Sequence, residues 1–291
     1  MRHPDIVVGT DGSEQSRTAV RWAAVEARLR AAPLKILTAY SWNGPPDAFG
    51  GMGELPDVIA QQFDRLAADA AAEARALEPG IEVSGAAVIG DPASVLLEAG
   101  RTAAMLVVGN RGRGGFASLL LGSVSQQVAT HAAGPVVVVR GQANTASGPI
   151  AVGVDGSTSA QRALALGFEE AQRSGSGLLA VRSYPVPMPP IGMDMPPLSY
   201  DHDAAWRDAA RDLEAAVTPW RDKYPTVPVQ TLTEPGSPAK NLVGVSGDAR
   251  LLIVGSRGHG ALVGRLLGSV GQQLLHHAGC PVMIVHPEQA T

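Results

Sequence analysis

Two glycine-rich segments of this chain have the residue types and the spacing to bind an anion. Both fit G-x2-G-x9-G-S, with Gly109, Gly112, Gly122 and Ser123 in the first segment and Gly255, Gly258, Gly268 and Ser269 in the second. In each segment the first glycine ends an apolar run typical of a buried strand, and the Gly-Ser pair precedes a helical pattern. Backbone amides in such loops and at helix N-termini hold phosphate groups. We therefore expect a phosphate site at each segment.

The first two glycines of the motif admit two interpretations. At Gly109 and Gly112 we expect backbone with positive φ that approaches a ligand closely, because a Cβ atom would occupy the ligand's space. The alternative is that both are turn residues with no ligand nearby. The recurrence of the entire spacing favours the ligand interpretation.

An aspartate follows the first apolar run of each half of the chain. Asp11 precedes Gly-Ser in the first half, and Asp155 precedes Gly-Ser in the second. A carboxylate accepts hydrogen bonds from an amino or hydroxyl group of a ligand. Asp-Gly-Ser before a helical run is also typical of a helix cap, and the two roles are compatible.

Other nucleotide, metal and catalytic motifs are missing from the sequence or match it poorly. No G-x4-G-K-[ST] segment occurs, and residues 112–117 fit G-x-G-x-x-A without a helix directly after them or an acidic residue about 20 positions further on. The histidines lack metal-ligand spacing, and no nucleophile elbow, Cys-His arrangement or carboxylate pair accompanies the glycine loops. We therefore assign no catalytic residue and no metal site made by protein side chains.

Internal repetition divides the chain into two halves. Asp155 lies 144 positions after Asp11 (155 − 11), and Gly268 lies 146 positions after Gly122 (268 − 122), with the intervening landmarks in the same order. The residues between the copies are small and polar, as in a linker. We expect a first domain at residues 1–143 and a second at residues 147–291.

Strand and helix patterns alternate within each half. In the first half, apolar runs predict strands at residues 6–9, 34–40, 82–89, 105–109 and 135–140, with helical periodicity between them. Continuous apolar strands separated by helices indicate a parallel sheet covered on both faces. The predicted fold class is α/β, with two tandem doubly wound, Rossmann-like domains.

Composition limits the partners and the compartment. The chain has 291 residues, of which 45% are hydrophobic and 17% charged, and its net charge of -4 gives no basic footprint for nucleic acid. Its one cysteine, Cys280, cannot form an internal disulfide, and no apolar run is long enough to cross a bilayer. We expect a cytoplasmic protein that binds neither nucleic acid nor a membrane.

The sequence resembles the universal stress protein family in its tandem-domain, ATP-binding form, over essentially the whole chain. The resemblance rests on the two glycine motifs, which nucleotide-binding members of that family carry as G-x2-G-x9-G-[ST], and on the aspartates after the first strands. It implies a five-stranded parallel sheet of order 3-2-1-4-5 in each domain. It also implies ATP as the ligand, with a Mg²⁺ ion carried by the phosphates.

The resemblance assigns candidate binding residues. Asp11, Asp155 and the backbone near Ala39 and Ser183, after the second strands, would contact adenine. The ribose and phosphates would be surrounded by Gly109, Arg111, Gly112, Gly122, Ser123, Val124 and Ser125 in the first domain, and by Gly255, Arg257, Gly258, Gly268, Ser269, Val270 and Gly271 in the second. The candidate set is completed by Gly9, Thr10 and Gly114 in the first domain and by Gly153, Val154 and Gly260 in the second.

The leading functional interpretation is a stress-response or regulatory protein with one adenine-nucleotide site per domain, acting as a nucleotide-dependent switch. One alternative is an enzyme that hydrolyses ATP or transfers an adenylyl group on the same fold. Another is an interaction protein whose nucleotide sites are vestigial. The expected protein partners are a second copy of the chain, giving a homodimer, and an unidentified downstream protein.

The two sites are expected to differ in affinity. Three positions change between the copies, with Thr10, Ser125 and Arg113 replaced by Val154, Gly271 and His259. The second site thus loses two hydroxyls and a fixed charge. If each lost hydrogen bond contributes roughly 0.5–1.5 kcal/mol, the second site is the weaker one unless other contacts compensate.

The fifth strands are expected to be the contact between the two domains. They are short and apolar, and they end the strand order that the family resemblance implies. Exposed apolar edges of this kind are normally covered. We expect the two copies to pair across a pseudo-twofold axis and cover both edges.

Two segments after the second strands have a different composition. Residues 43–57 and 185–200 are rich in Pro, Gly and Met and should emerge on the carboxyl side of the sheet. Flexible surface loops are the favoured interpretation. Lids over the nucleotide are the alternative.

Overall fold

The chain forms two successive series of alternating strands and helices. The computed structural model describes residues 4–41, 55–112, 121–141, 148–186, 200–258 and 267–287. The elements of the first half are β1 (Ile6–Gly9), α1 (Glu14–Arg30), β2 (Leu34–Tyr40), α2 (Leu55–Leu77), β3 (Val83–Ile89), α3 (Pro92–Ala99), β4 (Met105–Gly109), α4 (Ser123–His131) and β5 (Val136–Val139). Those of the second half are β6 (Ile150–Gly153), α5 (Thr158–Ser174), β7 (Leu178–Tyr184), α6 (His202–Lys223), β8 (Val229–Pro235), α7 (Pro238–Ser246), β9 (Leu251–Gly255), α8 (Ser269–His277) and β10 (Val282–Val285).

Local sequence fixes several helix ends. The hydroxyls of Ser13 and Ser157 cap the N-termini of α1 and α5 by accepting a backbone N–H three residues on. Pro92 and Pro238 open α3 and α7, where proline's missing N–H has no helical partner to lose. Helix α5 ends at Gly175, whose φ of 64° is the left-handed conformation that glycine adopts readily.

The ten strands of the described residues belong to one sheet. Their order is β3-β2-β1-β4-β5-β10-β9-β6-β7-β8, so each half has the order 3-2-1-4-5 that the family resemblance implies. Pairing is parallel within each half. Strands β5 and β10 join the halves as an antiparallel pair, with Val137 opposite Met283. The predicted fold class and the predicted pairing of the fifth strands are therefore confirmed.

Helices cover both faces of the sheet. One core packs against α1, α2, α5 and α6 and contains Ile6, Val8 and Phe168, while the other packs against α3, α4, α7 and α8 and contains Val7 and Leu274. Successive residues of β1 thus enter opposite cores, as the pleat of a strand requires. Because both cores include residues of β5 and β10, the hydrophobic interior runs continuously through both halves.

Part of the segment expected to be a loop after β2 is helical. Helix α2 already begins at Leu55, within the 43–57 segment. The remainder of that segment up to residue 54, and residues 187–199 of the second segment, lie outside the described residues, so their expected loop or lid role stays untested. Among the described residues, no helix is long and apolar enough to span a membrane.

Candidate functional site

Each half has a cavity at the carboxyl ends of its strands. The first cavity has a volume of about 500 Å³ and the second about 330 Å³. Such volumes lie at the lower end of the range typical of small-molecule sites. In the order 3-2-1-4-5, the chain leaves the first and fourth strands toward opposite sides of the sheet, which opens a crevice between their loops.

Every described candidate residue lines one of these cavities. The first is lined by Gly9, Thr10, Asp11, Ala39, Gly109, Arg111, Gly112, Gly122, Ser123, Val124 and Ser125. The second is lined by Gly153, Val154, Asp155, Ser183, Gly255, Arg257, Gly258, Gly268, Ser269, Val270 and Gly271. Gly114 and Gly260, together with Arg113 and His259, lie outside the described residues. The structure thus brings three separated segments of each half to one place, and their contact with a nucleotide stays a prediction.

The Asp-Gly-Ser loops show which residue caps the helix that follows. Ser13, and not Asp11, caps α1, while Asp11 Oδ1 accepts the backbone N–H of Ser13 at 3.0 Å. This Asx-type turn places Gly12 at a φ of 76°. Asp155 accepts the N–H of Ser157 at 2.9 Å in the same way. The aspartate therefore shapes the loop while lining the cavity.

The positive φ expected at the first two glycines of the motif is wrong, whereas their contact with a ligand stays a prediction. Positive φ occurs at Gly12 and Gly156 but not at Gly109 or Gly112. A Cβ on Gly109 would lie 2.8 Å from the carbonyl oxygen of Gln15 at the start of α1. A Cβ on Gly112 would collide with the carboxylate of Asp11. These positions need glycine because protein groups approach them closely.

The same crowding recurs in the second half. A Cβ on Gly258 would lie 2.5 Å from Asp155 Oδ2, and one on Gly255 would lie 2.5 Å from Ser159 Oγ. The aspartate loop and the glycine loop are therefore in contact in both halves, with the carboxylates of Asp11 and Asp155 beside Gly112 and Gly258. This close packing, repeated in both halves, restricts the position of the aspartate loop relative to the glycine loop.

The Gly-Ser pairs start the helices that face the cavities. Gly122 and Gly268 are the N-cap residues of α4 and α8, with extended φ of −78° and −62° and no side-chain cap. The first amides of a helix have no acceptor within it, and they carry partial positive charge. Gly122 N–H donates to the carbonyl of Asn110 at 2.8 Å, and Gly268 N–H donates to that of Ser256 at 2.8 Å. Each helix start is thereby tied to the loop after the fourth strand.

The first site has two hydroxyls that the second site lacks, and both form hydrogen bonds with other protein groups. Thr10 Oγ1 lies 3.0 Å from Ser16 Oγ, and Ser125 Oγ donates to the carbonyl of Gly109 at 2.6 Å. Their replacement by Val154 and Gly271 thus removes internal bonds, which changes the physical reason behind the predicted difference in affinity. The ranking of the sites itself stays a prediction.

The second site has a hydroxyl contact of its own. Ser159 Oγ donates to the carbonyl of Arg257 at 2.5 Å, and Ser157 Oγ lies 3.3 Å from the same oxygen. The position equivalent to Ser159 in the first half is Gln15 (159 − 144), which has no hydroxyl. The start of α5 therefore anchors the second glycine loop.

Sequence reasoning missed the apolar walls of both cavities. The additional apolar lining residues are Leu37, Pro92, Leu96 and Val108 in the first cavity and Ala160, Val181, Pro238, Leu242 and Val254 in the second. The repeated Pro-Ala at the openings of α3 and α7 was the available signal, since it recurs with the same shift of 146 positions (238 − 92) as the glycine motif. A wall of this kind suits a flat, weakly polar group such as a base.

A tandem pair of doubly wound α/β units, each with a cavity between its first and fourth strands, defines the structural class. Within that class, the family model of the universal stress protein family matches residues 4–140 and 147–286. The chain belongs to the universal stress protein family.

Individual relatives cover nearly the whole chain. A universal stress protein of Mycolicibacterium smegmatis is 34% identical over 293 residues, covering 97% of both proteins. One from Mycobacterium tuberculosis strain H37Rv is 34% identical over 287 residues, covering 96% of both. The crystal structure of a universal stress protein from Archaeoglobus fulgidus has the same fold, with a TM-score of 0.73, 19% identity and coverage of 97% of this chain and 98% of that one.

Proposed function

We propose that each half binds one adenine nucleotide, with ATP the favoured ligand, and that the protein acts as a nucleotide-dependent switch in a stress response. The observation that carries this proposal is the convergence of three segments on one cavity. In each half an aspartate loop, a glycine loop and an uncapped helix N-terminus meet there. The glycine spacing is the one carried by nucleotide-binding members of the family.

The parts of each cavity suit different parts of a nucleotide. The apolar wall around Leu96 or Leu242 accommodates a base, and the carboxylate of Asp11 or Asp155 accepts a hydrogen bond from an amino group or a ribose hydroxyl. The amides at the starts of α4 and α8 hold phosphate oxygens. Mg²⁺ would be carried by the phosphates and would neutralise part of their charge.

The helix N-terminus in particular has room for an anion. A Cβ built on Gly122 would come no closer than 3.5 Å to any heavy atom of the described residues outside its own chain neighbours. Arg111 and Arg257 line the two cavities and add a positive charge to each. A guanidinium forms charge-assisted hydrogen bonds with phosphate oxygens, which strengthens phosphate binding over that from amides alone.

Titration calorimetry of the full chain with ATP and Mg²⁺ tests the proposal. We expect two bound nucleotides per chain, and we expect adenine nucleotide to be identified by mass spectrometry in ligand released from freshly purified protein. Absence of binding in titration, together with absence of released nucleotide, would support an interaction protein instead. Single-turnover reactions with labelled ATP separate a binding switch from an enzyme, because only the enzyme converts a stoichiometric amount of bound ATP to product.

A further inference from the structure

The residues that follow β5 and β10 cross from one half to the other. Arg140 follows β5, and His286 follows β10 at the equivalent position (286 − 140 = 146). Both side chains contact the last turn of a helix in the opposite half. The helices they contact are α8 and α4, the two helices whose N-termini line the cavities.

Arg140 of the first half holds the end of α8. Its Nη1 donates to the carbonyl of Leu274 at 2.6 Å, and its Nη2 donates to that of His276 at 2.8 Å. The last carbonyls of a helix carry partial negative charge, which a guanidinium complements. The carbonyl of Leu274 also accepts the backbone N–H of Ala278 at 2.9 Å, so Arg140 adds a second donor to it. Burial lowers the pKa of Arg140, and the nearby charge of Arg111 acts in the same direction, but an arginine side chain stays protonated.

His286 of the second half holds the end of α4. Its Nε2 lies 3.1 Å from the carbonyl oxygen of Ala129. Because a carbonyl oxygen only accepts, this hydrogen bond requires the ring proton on Nε2. The backbone carbonyl of His286 in turn accepts Arg162 Nη1 at 2.7 Å. Burial lowers the pKa of His286 to about 4, with the charges of Arg257, Arg162 and His131 acting in the same direction, so the ring is neutral at pH 7.

Each of these residues also adjoins the glycine loop of its own half. Val139, which precedes Arg140, pairs with Gly109. Val285, which precedes His286, pairs with Gly255. One strand residue therefore separates each glycine loop from the side chain that contacts the other half's helix.

We propose that Arg140 and His286 are positioning residues that act across the domain boundary, so that each half sets the position of the phosphate-binding helix of the other and thereby the affinity of its site. This inference rests on the proposed function. The two connections differ in strength, because α8 is held by two charge-assisted bonds and α4 by one neutral bond. The second site therefore depends more on the first half than the first site depends on the second.

The test uses variants in which only one site stays open. Gly122→Glu places a carboxylate at the first helix start and leaves the second site, and Gly268→Glu does the reverse. In the Gly122→Glu protein we expect Arg140→Met to weaken ATP binding at the second site by about tenfold, a size typical of coupling between sites. Arg140→Lys keeps the charge beside Arg111 and should recover part of the loss.

The mirror experiment concerns the first site. In the Gly268→Glu protein we expect His286→Leu to weaken ATP binding at the first site, by a smaller factor than Arg140→Met weakens it at the second site. His286→Gln retains a hydrogen-bond donor and should bind ATP nearly as tightly as the Gly268→Glu protein does. Amide hydrogen exchange without ligand provides a second readout. Arg140→Met should accelerate exchange in α8 but not in α4, whereas a general loosening of the boundary would accelerate both.

Two outcomes separate this inference from the proposed function. If neither single-site protein nor the unmodified chain binds ATP, the proposed function fails, and the exchange comparison still decides whether Arg140 positions α8. If both single-site proteins bind ATP but Arg140→Met and His286→Leu leave the opposite site's affinity unchanged, this inference alone is overturned. Unchanged exchange in α8 of Arg140→Met overturns it as well.

Discussion

Glu26 and Glu170 occupy equivalent positions on α1 and α5 and share Arg30 across the boundary between the two halves. Both residues are almost fully buried, at 5% and 3% exposure. Arg30 Nε donates to Glu26 Oε1 at 2.6 Å, and another nitrogen of the same guanidinium contacts Glu170. Burial raises the pKa of Glu170 well above its usual range, and the neighbouring Glu26 carboxyl acts in the same direction. Although Arg30 and Arg173 act in the opposite direction, the surroundings therefore favour a proton on Glu170.

This proton makes the stability of the protein fall as pH rises. The folded state raises the pKa of Glu170, so its stabilising contribution is complete below the unfolded value of about 4.3 and is lost as pH rises through the folded value. Because a glutamine does not titrate, we expect Glu170→Gln to lose less free energy of unfolding than the parent between pH 5 and pH 8. Urea unfolding followed by circular dichroism between pH 5 and pH 8 measures the difference.

Glu169→Gln is the matched control for that experiment. Glu169 is the adjacent residue, partly exposed, and pairs with Arg173 at 3.0 Å. A surface pair of this kind contributes about 0–1 kcal/mol. Arg173 also donates to Glu170 Oε1 at 3.1 Å, and Glu169→Gln keeps that bond, so the pH slope of the parent should be unchanged. If Glu170→Gln and Glu169→Gln show the same slope, the carboxyl pair does not hold the proton.

His286 acts in the opposite direction to Glu170, because it makes the stability of the folded protein fall as pH decreases. Its pKa is lowered to about 4 in the folded state, so its contribution is complete above the unfolded value of about 6.5 and is lost as pH falls toward 4. We expect His286→Gln, which retains a donor for the Ala129 carbonyl but does not titrate, to lose less stability than the parent between pH 6.5 and pH 4.5. Thermal unfolding across that range checks the prediction, and parallel losses in both proteins would contradict it.

The sequence predicts much of the fold because the relevant signals are local. The apolar runs at β1, β2 and β4 and the repeated glycine spacing require only neighbouring residues to be recognised. The contacts of Arg140 with Leu274 and of Arg30 with Glu170 join residues more than 130 positions apart, and no periodicity marks them. They follow only once β5 and β10 are known to pair and to bring α1 beside α5.

The glycines show the same limit at the candidate site. Spacing alone identified Gly109 and Gly112. The sequence does not show whether a glycine is required for a positive φ or for the close approach of another part of the chain. The distinction required the position of Gln15 and Asp11 across the crevice. Likewise, the hydroxyl of Ser125 is visible in the sequence, whereas its partner, the carbonyl of Gly109, is set by the fold.

Ser159 is expected to matter for the second site alone. Its hydroxyl holds the carbonyl of Arg257, and Ser159→Ala removes that bond without adding bulk. We expect faster amide exchange at residues 256–258 and a loss of ATP affinity at the second site worth about 1 kcal/mol, since the loop would have to be ordered on binding. Gln15→Ala, at the equivalent position of the first half, should leave the second site unchanged. Equal effects of both variants on the second site would argue against the anchor.

The helix N-termini provide the most direct test of the candidate sites. Gly122→Glu puts a carboxylate among the amides proposed to hold phosphate, where steric exclusion and like-charge repulsion should reduce binding by several kcal/mol, an order-of-magnitude expectation for a partly desolvated site. The fold should tolerate the change, because Gly122 has a φ of −78° and its added Cβ would lie 3.5 Å from Arg111 Cα. A negative charge at a helix N-terminus is also electrostatically favourable.

Thermal unfolding with and without ATP distinguishes this loss of binding from a loss of stability. We expect Gly122→Glu and Gly268→Glu each to retain part of the stabilisation by ATP, and the double variant to retain none while unfolding near the parent's temperature in the absence of ligand. Gly122→Ala is the matched control, since it adds the Cβ without the charge and should preserve more of the ATP effect. Ligand-induced stabilisation depends on binding to the folded state, so a double variant that keeps the full ATP effect must bind the nucleotide elsewhere. That result would show that neither glycine motif forms a nucleotide site.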